Sequence, residues 1–236
     1  MTPTVAAFWA PKAGASADEF EDAFCCDPGQ GRFSVADGAS ECSFSAAWAR
    51  MLAEGYVAKP PDGSILRDWL KPLQEDWKRG TEGRPLPWYA EEKARSGAFS
   101  SLLGVCLDSN TRRWRAVAMG DSCLFIVRAG KLASSFPMGR SVEFHNRPAL
   151  LSSAGANIWT ALREEQGTFA PGDVLWLMTD ALSSWFLTEA ELKRRPWVVL
   201  QRARTQAEFD ALVELLRVSR AMRNDDVTLV RVEVTP

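Results

Sequence analysis

Histidine is almost missing from this sequence: His145 is the only one in 236 residues. Cysteine is present but unorganised. Cys25, Cys26, Cys42, Cys106 and Cys123 form no C-x-x-C pair, include one adjacent pair and leave an odd count, which fits free thiols in a reducing cytoplasm. No apolar run approaches the ~18 residues needed to span a bilayer. The N-terminus lacks a basic segment, and its apolar stretch from Val5 to Ala10 is cut short by Pro11. Neither secretion nor membrane insertion is expected, and the expected location is cytoplasmic. An excess of one charge is also lacking: 28 basic residues face 30 acidic ones, for a net charge of -2. With no basic run interleaved with aromatics, a nucleic-acid partner is not implied, and an anionic substrate has to be met by a local cluster of charge. A Gly-x-x-x-x-Gly-Lys loop is missing too, which ranks a nucleotide-directed or small-ester enzyme last. There is no internal repeat and no low-complexity tract.

What remains is a chain with 46% apolar residues and no evident boundary, read as one domain over residues 1–236. Short alternating or apolar runs dominate its two ends: Ala23 to Cys26, Arg32 to Ala36, Leu102 to Leu107, Arg113 to Met119, Leu124 to Arg128, Val174 to Met178 and Val227 to Val234. The first two flank Asp27-Pro28-Gly29-Gln30-Gly31, a turn-rich loop, and so form a hairpin. Helical spacing dominates elsewhere. Ser43 is placed to cap a helix to Glu54 with Phe44, Trp48, Met51 and Leu52 on one face, and a second spans Ser64 to Arg79 with Pro72 as a kink or interruption. A third covers Ala207 to Val218. The ten tryptophans fall mostly on such faces, as core residues. The class is α+β with antiparallel strands.

The informative residues are acids at the ends of apolar runs. Asp37 closes Phe33-Ser34-Val35-Ala36, Asp180 closes the run from Val174 to Thr179, and Asp225 and Asp226 precede Val227-Thr228-Leu229-Val230. Asp22, behind Glu21, opens the first hairpin strand. In an antiparallel hairpin the start of one strand lies beside the end of its partner, so Asp22 and Asp37 should share a rim. Asp180 and Asp225 obey the same logic if their strands are neighbours. Carboxylates ~5 Å apart repel by roughly 3 kcal/mol per pair at an effective dielectric of 20, so such a cluster needs cations or protons. An oxygen-only ligand set selects magnesium or manganese over zinc. Two such ions can share a water, lower its pKa and clamp a phosphoryl group. One aspartate at a strand end is ordinarily a turn or cap residue; the set carries the weight.

Taken in order, Glu21-Asp22-Ala23-Phe24, the run from Phe33 to Asp37-Gly38, Gly120-Asp121-Ser122, the run from Gly172 to Asp180, and the run from Asn224 to Val230 resemble the motifs of the type 2C (PPM) protein serine/threonine phosphatases. The resemblance implies a four-layer α-β-β-α sandwich of two antiparallel sheets flanked by helices, with two manganese or magnesium ions at one end. It implies that Asp37 bridges both ions beside the Gly38 carbonyl, that Asp180 and Asp225 complete the shell, and that Asp22 is the acid of the first motif, a role Glu21 could share. Asp121 matches the holder of a third, weaker ion. Asp37 and Asp180 are thereby the candidate catalytic residues. The implied substrate is a phosphoserine or phosphothreonine protein, with a cognate kinase as a further partner.

The departures define the alternative. The segment Ala39-Ser40-Glu41-Cys42-Ser43 replaces the family's usual glycines or histidine, and His145 matches no family motif, so a water at the metals would protonate the leaving group. Ala15, Ser16 and Ala17 occupy the neighbourhood of the family's phosphate-binding arginine. Lys12 is the nearest cation, able to hold phosphate as a point charge without arginine's bidentate fork. Ala181 and Cys123 replace a glycine and an arginine without removing a ligand oxygen. Residues Arg140 to Ala154, where many members carry a flap, fit no motif. The rival to an active phosphatase is a pseudophosphatase that binds phosphoproteins without turnover.

Overall fold

The computed structural model describes residues 2–39, 44–61, 65–81, 97–145, 147–155 and 157–235. Ser43, Ser64, Cys42 and the rest of the segment 40–43 lie outside the described residues. In chain order the elements are β1 (Thr4–Ala10), β2 (Asp22–Asp27), β3 (Arg32–Asp37), α1 (Ser45–Ala58), α2 (Leu66–Thr81), β4 (Phe99–Ser100) and β5 (Leu102–Asp108). There follow β6 (Arg113–Met119), β7 (Cys123–Arg128), β8 (Lys131–Phe136), β9 (Leu151–Ser152), β10 (Arg163–Thr168), β11 (Val174–Met178), α3 (Asp180–Glu191), α4 (Pro196–Leu200), α5 (Gln206–Val218) and β12 (Val227–Glu233).

Two five-stranded sheets, β1-β12-β11-β7-β8 and β10-β6-β5-β3-β2, are antiparallel throughout. Strand alternation sorts their side chains into layers. On β7, Leu124 and Ile126 point between the sheets, where they join Phe33, Val35, Leu103, Leu177 and Val230. Cys123, Phe125 and Val127 point the other way, into a core with Trp185 and Phe186 of α3, Trp197 of α4 and Phe209 of α5. Phe125 and Phe186 stack with centroids 4.3 Å apart. On the outer face of the second sheet, Trp48, Leu52 and Tyr56 of α1 and Leu70 and Trp77 of α2 cover Leu102, Val117 and Met119. Two antiparallel sheets flanked by helices are the expected architecture, and the buried tryptophans are packing residues.

Gly104 on β5 is what lets α1 lie flat on this sheet: a Cβ there would stand 2.2 Å from the Tyr56 ring. Tyr56 and Val57 are buried, and they carry α1 to Ala58, one turn beyond the expected end. Pro72 does not interrupt α2, which runs through it; the residue is exposed, so water can satisfy the carbonyl that loses its N–H partner. The structure also contains β1, β8, β10, α3 and α4, none of which the periodicity singled out. In β10, Arg163-Glu164-Glu165-Gln166-Gly167-Thr168, almost every residue is exposed and pairing with β6 alone defines the strand.

Candidate metal centre

The acids converge at one end of the sandwich through strand register. Asp22 stands directly opposite Asp37 in the β2–β3 pair. Met178 stands opposite Leu229 in the β11–β12 pair, which brings Asp180, the first residue of α3, beside the start of β12. Asp121 lies in the β6–β7 turn, behind Gly120 at φ +103°. Asp37, Asp121 and Asp180 each offer a carboxylate oxygen, and these oxygens all lie within 4.8 Å of one another.

Gly38 threads the end of β3 through a narrow gap. A Cβ there would lie 2.7 Å from the Glu21 carbonyl oxygen and 2.9 Å from that of Ser45, so any side chain would push Asp37 out of place.

The carboxylates are under-satisfied. Asp121 and Asp180 are buried, yet Oδ2 of the first and Oδ1 of the second have no hydrogen-bond partner, and the same is true of Asp22 Oδ1. Leaving a buried carboxylate oxygen unpaired costs several kcal/mol on general grounds (about 1–3 or more) unless a proton or cation arrives. Asp37 shows the strain electrostatically: burial first, then the fields of Asp22, Asp121 and Asp225, hold its pKa well above the carboxylate range, with Arg223 opposing. Burial raises Asp121 as well, again against Arg223. Asp22 is pushed from 3.8 to about 7, chiefly by burial. Orphaned oxygens, mutual repulsion and an all-oxygen donor set fit hard divalent cations.

Around these acids is a ring of positioning contacts. Thr179 Oγ1 and Thr228 Oγ1 each donate to Asp22 Oδ2 at 2.9 Å, and Thr228 N donates to Thr179 Oγ1 at 2.9 Å. Asp22 therefore ties the end of β11 and the start of β12 to the opposite sheet. Asp226 Oδ1 and Oδ2 accept from the backbone N–H groups of Lys12 and Glu21, both at 2.8 Å. Asp225, its neighbour, instead lies 3.1 Å from the Arg223 guanidinium, which also pairs with Asp180 Oδ2. Glu21 accepts from Ser45 Oγ and lies 3.5 Å from Lys12 Nζ.

Of the residues expected at the site, Asp37, Asp121 and Asp180 meet directly, Gly38 follows Asp37, and Asp225 is linked to Asp180 through Arg223. Asp22 lies beside Asp37 with one oxygen taken by two hydroxyls. Lys12 lies at the rim in a shallow pocket with Glu21, Phe44 and Ser45. His145 is exposed and lines a cavity of about 390 Å³ with Asp121, Met138 and Arg163; its Nδ1 accepts from Arg147 N at 3.3 Å. The segment from Arg140 onward docks on α3 through Ser141, whose N and Oγ bind the Glu191 carboxylate. Asn146, within that segment, lies outside the described residues. The hydroxyls of Thr179, Thr228 and Ser45, and the guanidinium of Arg223, make site contacts that the acid spacing does not reveal. Thr179 precedes Asp180 and Thr228 follows Asp226 by two residues, and this adjacency to motif acids is the signal of them that the sequence carries.

Antiparallel sheets flanked by helices with an acidic cluster at one end define a PPM-type phosphatase fold. The family model of Stage II sporulation protein E (SpoIIE) matches residues 36–235, and the chain belongs to that family, within the PPM type. Among solved structures, the Mycobacterium tuberculosis serine/threonine phosphatase PstP/Ppp is similar at TM-score 0.70 and 15% identity, with 100% of each chain covered. PppA, a regulatory component of the type VI secretion system in Pseudomonas aeruginosa, is similar at TM-score 0.65 and 20% identity, covering 99% of this chain and 98% of its own. A PstP catalytic domain in complex with two manganese ions is similar at TM-score 0.66 and 17% identity, covering 100% of this chain and 99% of its own. At these identities the likeness is one of fold. A search of the curated proteins finds no match. Among the described residues, no helix is long and apolar enough to cross a membrane.

Proposed function

We propose that this chain is a metal-dependent protein serine/threonine phosphatase acting in the cytoplasm on phosphoserine and phosphothreonine proteins, opposite a cognate kinase. The observation that carries the reading is the convergence of half-buried Asp37 with buried Asp121 and Asp180, the last two each leaving a carboxylate oxygen unpartnered, in a PPM-type fold. Two manganese or magnesium ions, when bound, would supply the positive charge that activates a water and neutralises the phosphoryl oxygens.

The residues divide the work. Asp37 would be held in common by both ions, with the Gly38 carbonyl beside it; Asp180 and Asp225 would hold the same pair, and Asp121 would hold a third, weaker ion. Asp22 offers its free Oδ1 beside Asp37, while its other oxygen fixes Thr179 and Thr228 and so keeps β11 and β12 in place. Lys12 is held at the rim by its backbone bond to Asp226 and is assigned to the substrate phosphate as a point charge.

The deciding experiment is hydrolysis of p-nitrophenyl phosphate and of a phosphothreonine peptide by the purified protein, with and without manganese. Phosphate release that requires manganese and stops with EDTA supports the phosphatase. Manganese binding without release from either substrate would replace it with a phosphoprotein-binding pseudophosphatase.

A further inference from the structure

Arg223 reaches into the carboxylate cluster from the loop before β12. Its guanidinium pairs with Asp180 Oδ2 and lies 3.1 Å from Asp225 Oδ2, so one cation spans two acids supplied by different elements. Its field extends to Asp37 and Asp121, where it opposes the effect of burial. The anchorage is one-sided: the Arg223 side chain is 41% exposed and that of Asp180 only 8%. The guanidinium thus enters from solvent and can leave the same way without opening the core.

A divalent cation at this end would take oxygens of the same two carboxylates at about 2.0–2.6 Å, Asp180 Oδ1 among them, which has no hydrogen-bond partner and shares its carboxyl carbon with the oxygen that Arg223 holds. A guanidinium and a divalent ion sharing them would sit a few ångströms apart and repel. The two are therefore alternatives at Asp180 and Asp225. Asp121 Oδ2, like Asp180 Oδ1, has no hydrogen-bond partner.

We propose that Arg223 is a tethered cation that fills the Asp180–Asp225 end of the metal centre in the metal-free protein and must be displaced for a divalent ion to enter there. The proposal rests on the two-ion reading above. It explains how four acids can be gathered in the folded chain before any ion arrives. It also makes one of the two ions bind against an internal competitor, so that the protein loads fully only where the divalent ion is plentiful.

The test is calorimetric titration of the full chain with manganese chloride alone, for the unaltered protein and for Arg223→Gln, with thermal melts of both in EDTA and in saturating manganese. Removing the competitor should tighten one manganese site about tenfold or more. Arg223→Gln should melt below the unaltered protein in EDTA and at or above it in manganese, a crossing that a purely structural arginine would not produce. Arg223→Lys keeps the tethered charge without the fork and should fall between, which also serves if the glutamine variant fails to fold. Equal manganese affinity in all three proteins, or weaker binding by Arg223→Gln, overturns the role of Arg223 and leaves the metal centre standing. No manganese binding by any of them overturns the two-ion reading and the proposal with it.

Discussion

Asp22 and Asp37 face each other across the β2–β3 pair in direct register, the first held by two threonine hydroxyls and the second turned toward Asp121 and Asp180. Asp22 is buried and Asp37 half-buried, and the charge of Asp22 adds to burial in raising the pKa of Asp37, so the two do not both ionise cheaply.

The consequence is a pH dependence of stability with a defined sign. Burial raises Asp22 from 3.8 to about 7, with Asp226 and Asp225 adding to it against the Thr228 and Thr179 hydroxyls. A folded-state pKa above the unfolded one means that the folded chain holds the extra proton. The stability present below about pH 4 is therefore lost as pH rises toward 7, by something on the order of a few kcal/mol. Metal-free protein in EDTA should melt lower at about pH 8 than at about pH 5, and Asp22→Asn should flatten that dependence. A melting temperature that falls equally in Asp22→Asn would acquit Asp22. Manganese should shrink the difference in the unaltered protein by neutralising the cluster.

Asp37→Asn and Asp180→Asn keep shape and remove one carboxylate charge each. Both should lose phosphatase activity by at least about a hundredfold and show weakened manganese binding by calorimetry, with circular dichroism unchanged. Full manganese-dependent activity in either variant would remove that residue from the centre.

Lys12 sits at the rim, bonded through its backbone to Asp226. If its ammonium holds the substrate phosphate equally in ground and transition states, Lys12→Ala should raise KM several-fold with little change in kcat. An unchanged KM would take Lys12 out of the binding site.

Gly104→Ala tests the packing that seats α1. Its new Cβ would meet the Tyr56 ring at 2.2 Å, with both partners in a filled core. Overpacking of this kind costs about 1–3 kcal/mol, and chemical denaturation should show a lower midpoint with an unchanged slope. An unaltered midpoint would mean that α1 is free to shift.

The sequence by itself determined the strands whose apolar residues alternate or run unbroken, the β2–β3 hairpin with Asp22 beside Asp37, and the placement of acids where those runs stop. These features are legible because strand period, turn chemistry and hairpin register act over a few residues. Tertiary structure decided the rest. The polar strand β10 exists only because β6 offers it a ladder of backbone partners. Of the adjacent acids Asp225 and Asp226, only three-dimensional packing sends the second to the backbone of Lys12 and Glu21 and the first toward Arg223 and Asp180. The bonds from Thr179 and Thr228 to Asp22 close across 157 and 206 residues of sequence. No local pattern encodes contacts at that separation; they follow from how two sheets stack and from which oxygens that stacking leaves without a partner.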